Sequence, residues 1–147
     1  MPNIEQLEKT LPVAPLKLAV MDSCKELGQK VNDYIVSFRQ NTINDVTSSP
    51  LYLNYQTNSY LANCSCPRFG SGEAKGYFKE SIRGTDLFIM TDVCNYSLTY
   101  TVNGHLNHMS PDDHFQDLKR IISAATGKTY RINVVMPFLY ESRQHKR

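Results

Sequence analysis

The chain has no apolar run approaching the roughly 20 residues a helix needs to cross a bilayer, so no membrane association is expected. Its opening residues, Met1-Pro-Asn-Ile-Glu-Gln-Leu-Glu-Lys9, lack the apolar centre of a secretory signal, and cytoplasmic residence is the expectation. The excess of positive over negative charge is small as well. Lys and Arg number 16 against 14 Asp and Glu, and the net charge of +2 is too small to argue for a nucleic-acid partner. Cysteines are few. The four present (Cys24, Cys64, Cys66 and Cys94) read as free thiols rather than a disulfide framework. Cys64-Ser65-Cys66, with Cys94, His105, His108 and His114 elsewhere, does not have the paired spacing of a structural zinc site, so packed thiols are expected and no metal site. There is no nucleophile elbow, cysteine-protease signature, P-loop or G-x-G-x-x-G fingerprint, and no internal repeat.

What is present fits one globular domain: 147 residues, 41% hydrophobic and 20% charged. Residues 1–15 carry three prolines and read as an extended lead-in. Leu16 to Met21 is a short β-type run, and Ser23-Cys-Lys-Glu26 has the pattern of a capping box. Behind it Leu27, Val31, Tyr34, Ile35 and Phe38 recur at helical spacing and predict one apolar face. Residues 41–60, rich in Asn, Thr and Ser, predict a surface connection.

From Tyr60 to Lys79 the pattern predicts a hairpin, with Leu61 to Cys66 going out, Gly70-Ser71-Gly72 turning, and Ala74 to Phe78 returning. Asp86 to Asp92 holds Leu-Phe-Ile-Met, the continuous apolar run of a strand covered on both faces. Residues 93–109 are a polar, aromatic stretch containing Asn95, Asn103, Gly104 and Asn107. Ser110-Pro111-Asp112-Asp113 is a strong helix start. Phe115, Leu118, Ile122 and Ala125 form the apolar stripe, and Gly127 suits a left-handed stop. Tyr130 to Met136 is the last strand. Strands at 16–21, 86–92 and 130–136, joined through helices, predict a parallel central sheet built by right-handed crossovers.

Two clusters could carry function. One is the hairpin tip, where Phe69 offers an aromatic face, Ser71 a hydroxyl and Glu73 a carboxylate. The other is the final Arg143, Gln144, His145, Lys146 and Arg147, a local cationic patch delivered by the carboxyl end of a strand. Together they suit a nucleotide.

These same segments resemble a known family. Phe69-Gly-Ser-Gly-Glu73 through Glu80-Ser81-Ile82-Arg83-Gly84-Thr-Asp86-Leu-Phe-Ile is similar to the Phe-x-Asx-x-Glu and Val-Arg-Gly-x-Asp-Val segments of ribose-phosphate pyrophosphokinases. Asp112-Asp113, the helix that follows, and Val135-Met-Pro137 through Ser142-Arg143-Gln144 resemble the family's Asn-Asp, helix, strand and Tyr-Ala-Arg-Gln-Asp segment. The resemblance covers most of residues 16–147 and implies a three-layer α/β/α, phosphoribosyltransferase-like fold with a mostly parallel sheet and a protruding β-hairpin.

It further implies transfer of pyrophosphate from ATP to ribose 5-phosphate, with Mg2+, giving phosphoribosyl pyrophosphate and AMP. By resemblance Phe69, Ser71 and Glu73 would hold the adenosine, Arg143 and Gln144 the adenine and phosphates, and His145 would contact a phosphate. The tip would reach a neighbouring subunit of a homo-oligomer. Some positions depart from the pattern: Ser71 replaces an Asp or Asn, His145 replaces an Asp, and residues 93–109 are inserted. The family's ribose 5-phosphate loop, catalytic loop and metal-binding His segment have no counterpart in residues 1–147. The resemblance therefore implies an N-terminal domain, with no catalytic residues of its own and inactive alone. The alternative is a non-catalytic regulatory or assembly relative.

Overall fold

The structure, a computed structural model, describes residues 12–42 and 55–143. Its centre is a parallel sheet of β1 (Leu16–Val20), β4 (Asp86–Met90) and β7 (Arg131–Val135), in the order β1-β4-β7. Register pairs Leu18 with Phe88 and Phe88 with Asn133. A further stretch lies on the outer side of β1: Leu18 N–H donates to the Tyr60 carbonyl and Ala62 N–H to the Leu18 carbonyl, each at 2.8 Å, with Leu18 bridging Leu61 in parallel. The element before β4 therefore winds outward past β1, whereas the element before β7 winds the opposite way.

Right-handed crossovers in opposite directions put their helices on opposite faces, and the packing agrees. Helix α1 (Lys25–Thr42) lies against the face that carries Val20, where a Cβ on Gly28 would fall 2.3 Å from Val20 Cγ1. Helix α2 (Pro111–Ala125) buries Leu118, Ile121 and Ala125 against Ala19, Leu87 and Ile89 on the other face. Fully burying side chains such as Leu87 and Ile89 contributes about 1.5–3 kcal/mol each. The parallel sheet is as the sequence patterning predicts and the three-layer α/β/α arrangement is as the family resemblance implies; the reversal of winding falls between β1 and β4. Among the described residues no helix is long and apolar enough to cross a membrane.

A hairpin of β2 (Cys64–Ser65) and β3 (Tyr77–Phe78) shares the α2 layer, with Cys66 and Phe78 packed on the core. It is continued by the bridge between Arg68 and Ala74, so the predicted hairpin forms, with ladder pairing only at those points. The cap of α2 is also as predicted. Ser110 Oγ accepts from Asp113 N–H at 3.2 Å, Asp113 accepts from Ser110 N–H at 2.9 Å, and Gly127 takes φ +75°. Burial pushes the Asp113 carboxyl up, but the hydrogen bonds from Ser110 outweigh it and hold the group below its ordinary value.

Two expectations are corrected, and one stretch holds structure that the sequence reading did not assign. The capping box at Ser23 does not form: Ser23 lies in a 3-10 turn (Asp22–Cys24) and its buried hydroxyl accepts from Asp92 N–H at 3.1 Å, tying the carboxyl ends of β1 and β4 together. The apolar face of α1 is rotated. Leu27, Tyr34 and Phe38 are 43%, 72% and 39% exposed, whereas Gly28 and Asn32 face inward, one permitting close approach and the other accepting from Tyr60 N–H at 2.8 Å. Residues 93–109, read from sequence only as a polar, aromatic stretch, carry regular structure. They contain a second antiparallel hairpin, β5 (Thr99–Val102) and β6 (His105–His108), closed by Asn103 and Gly104 at φ +50° and +78°.

Candidate functional site

The tip of the β2–β3 hairpin is a compact loop. Phe69 N–H donates to the Glu73 carbonyl at 2.7 Å and Gly72 N–H to the Phe69 carbonyl at 2.9 Å. Gly72 takes φ +89°, a left-handed value that a Cβ would strain. The Phe69 ring is 53% exposed, and Ser71 Oγ donates to Glu73 Oε2 at 3.1 Å. The three predicted residues thus share one tight turn, closed by two backbone hydrogen bonds, and all three are exposed.

The base of that loop is held by charge. Arg68, with 9% of its side chain exposed, donates to both carboxylate oxygens of Asp117 at 2.8 and 3.0 Å, and Arg120 adds a third contact to Asp117 at 2.6 Å. The Arg68 guanidinium also lies 4.8 Å from the centre of the Tyr100 ring. Arg68, Asp117 and Tyr100 escape sequence reading because they are far apart in the chain. No local pattern connects them.

The second cluster follows β7. Pro137 ends the strand, and the chain turns through residues 138–143 with Glu141 at φ +63°. Tyr140 anchors this turn to α2: its hydroxyl donates to Asp112 Oδ1 at 2.6 Å and its ring meets Phe115 edge-on at 5.4 Å. Arg143 stands exposed at the end of the turn, beside a shallow groove of about 300 Å3 lined by residues 138–143. No tip residue lines that groove among the described residues. Gln144 and His145 lie outside the described residues.

The hydrogen bond to Asp112 first, and desolvation second, push the Tyr140 phenol up to about 12. A folded value above the ordinary value of about 10 means that the contact stabilises the turn below pH 10 and is lost as pH rises through 12. In a phenolate absorbance titration, Tyr140→Phe is therefore expected to remove one late-ionising group and leave the earlier ones in place. Loss of an early-ionising group instead would contradict the anchor.

The reversal point between β1 and β4 is where open α/β sheets place ligands. Here it holds a cavity of about 110 Å3, lined by Ser23, Cys64, Cys66, Arg68, Tyr100 and His114 among others. That is below the roughly 300–1,000 Å3 of small-molecule sites. Burial, reinforced by Asp22, pushes the Cys64 thiol up to about 11, and burial with Asp117 nearby pushes Cys66 to about 12. Both thiols stay protonated at neutral pH and serve as packing groups. A more open groove of about 780 Å3 runs beside α1, with Lys25 and Lys30 on its wall. Each of those lysines pairs with a nearby acid at 2.7 Å, Lys25 with Asp22 of the 3-10 turn and Lys30 with Glu26 of α1.

A doubly wound α/β domain that carries an aromatic-tipped hairpin and an arginine turn beyond its last strand is the class these features define. Over residues 16–147 the chain matches the family described as the N-terminal domain of ribose phosphate pyrophosphokinase, and it belongs to that family. The ribose-phosphate pyrophosphokinases of Corynebacterium ammoniagenes, Bacillus cereus and Bacillus anthracis are each 34% identical to it over 90 residues. The matched stretch spans 59% of this chain but only 23% of each of those proteins.

Proposed function

We propose that this domain is the ATP-holding part of a ribose-phosphate pyrophosphokinase, which transfers pyrophosphate from ATP to ribose 5-phosphate and releases AMP. The observation that carries the reading is the tip, where one tight turn presents an exposed aromatic ring together with a hydroxyl–carboxylate pair. A stacking face with adjacent hydrogen-bonding groups is what a nucleoside needs. Phe69, Ser71 and Glu73 take the adenosine, Arg143 and Gln144 the adenine and phosphates, and His145 a phosphate oxygen.

Positioning and charge stabilisation dominate transfer of a charged phosphoryl group. Mg2+ enters as part of the MgATP substrate. The groove at Arg143 and the tip have separate walls, which supports a site completed by the tip of a neighbouring subunit in a homo-oligomer. Ribose 5-phosphate and the chemistry itself belong to regions outside these 147 residues, and the isolated chain is expected to be inactive.

The test measures AMP release that depends on ribose 5-phosphate, using the full gene product. Arg143→Ala is expected to lower the rate about 10- to 100-fold, the loss of one hydrogen bond to a charged group. An unchanged rate removes the assignment of the terminal turn.

One observation favours a second reading, a non-catalytic regulatory or assembly relative. The Ser71 hydroxyl bonds to Glu73 within its own loop, leaving it less available to a base. MgATP binding by the full gene product with no AMP formed would select that reading.

A further inference from the structure

The β5–β6 hairpin has no role in the function proposed above, yet it is built as a stiff element. Its turn is the tight Asn103-Gly104 type, whose twist suits paired strands. At its base Met109 N–H donates to the Leu98 carbonyl at 2.9 Å, and the next residue is the N-cap of α2. The loop leading into it is knitted to the sheet. Asn95 Nδ2 donates to the Ser23 carbonyl at 3.0 Å, and His114 Nε2 donates to the Asn95 carbonyl at 2.7 Å.

This element contacts the β2–β3 hairpin at the root of its tip and faces the turn farther out. The Tyr100 ring takes the guanidinium of Arg68, the residue immediately before the tip. Farther out, Val102 Cγ2 lies 3.8 Å from where a Cβ on Gly72 would stand, in the turn itself. Both residues are on β5, two apart, and so on one side of the strand. One strand side therefore contacts the root of the loop that carries Phe69, Ser71 and Glu73 and faces its crown.

We infer that the β5–β6 hairpin is a brace that fixes the orientation of the 69–73 loop, with Tyr100 and Val102 as positioning residues for the nucleotide-holding side chains. The inference rests on the ATP reading for its functional half. Its structural half, that Tyr100 and Val102 hold the loop, is independent of any ligand. A loop fixed before binding loses less freedom on binding, and the brace thereby raises affinity without touching nucleotide.

The experiment uses the full gene product and four variants: Tyr100→Ala, Tyr100→Phe, Val102→Ala and Phe69→Ala. Amide hydrogen exchange is followed over residues 69–74 and over α2, and the KM for MgATP is compared with kcat. In Tyr100→Ala the tip amides are expected to exchange about fivefold faster or more, with α2 unchanged, because a local opening need not involve the core. The KM for MgATP rises about threefold or more while kcat stays within about twofold, the scale of one lost cation–π contact. Tyr100→Phe, which keeps a ring for Arg68, restores both. Val102→Ala speeds tip exchange without disturbing the Arg68 contact and serves if Tyr100→Ala misfolds.

Unchanged tip exchange in both Tyr100→Ala and Val102→Ala overturns the brace. Faster exchange with unchanged KM, while Phe69→Ala still raises KM, overturns the link to nucleotide binding and leaves the ATP reading standing. An unchanged KM in Phe69→Ala overturns the ATP reading itself, and with it the functional half of the inference.

Discussion

Asp117→Ala is expected to destabilise the domain by about 3–5 kcal/mol, a large part of the roughly 5–15 kcal/mol that holds a typical domain folded. Asp117 is the shared acceptor of two cations. Arg68 forks onto both of its oxygens and Arg120 reaches Oδ1 from the next turn of α2. Only 6% of the Asp117 side chain and 9% of the Arg68 side chain are exposed. Removing the carboxylate leaves the guanidinium of Arg68 enclosed without its counter-charge, and water cannot replace the lost partner cheaply.

The magnitude comes from the stranded partner rather than from the net worth of the pair. Replacing both residues, as in Arg68→Met with Asp117→Leu, is accordingly expected to recover much of the loss. Urea-unfolding midpoints of the wild type, the single variant and the double variant check this. A double variant no better than Asp117→Ala would mean that the ion pair itself, rather than the unpaired Arg68, carries the energy.

That pair also marks how far the sequence could be read. β1, β4 and β7 were legible as short apolar runs bounded by turns. The start of α2 was legible because its cap is built from neighbours, Ser110 and Asp113. The tip residues Phe69, Ser71 and Glu73 were legible as a turn, and the role proposed for them draws on resemblance to a family. Harder to read was anything decided by tertiary packing. The apolar spacing in α1 pointed to Leu27, Tyr34 and Phe38, but Gly28 lets the helix approach Val20 and Asn32 satisfies the Tyr60 amide, so the helix turns a small and polar face inward. Ser23 looked like a cap because S-x-x-E is local, whereas its partner Asp92 is 69 positions away. The β5–β6 hairpin did have a readable signal, Asn103-Gly104 between β-type residues, which the surrounding polar residues masked.

Gly76→Ala is the second substitution with a large expected effect, about 1–3 kcal/mol and toward the upper end of that range. Gly76 immediately precedes β3, and a Cβ there would stand 2.6 Å from both the carbonyl carbon and oxygen of Arg120 and 2.9 Å from Ile121 N. Those atoms are helix backbone and cannot swing aside as a side chain does. The hairpin must instead lift off α2, loosening the packing of Cys66 and Phe78 on the core. It would also pull on the Arg68–Asp117 contact that anchors the tip.

Gly70→Ala supplies the contrast. Nothing lies within 4 Å of the Cβ it would add, and the change is expected to stay within about 0.5 kcal/mol. The two glycines lie in one hairpin, so the difference isolates close approach to the helix from any general effect of losing backbone freedom. Thermal and urea unfolding of both variants measure it. Equal midpoints for Gly76→Ala and Gly70→Ala would mean that the hairpin does not seat on the backbone of α2.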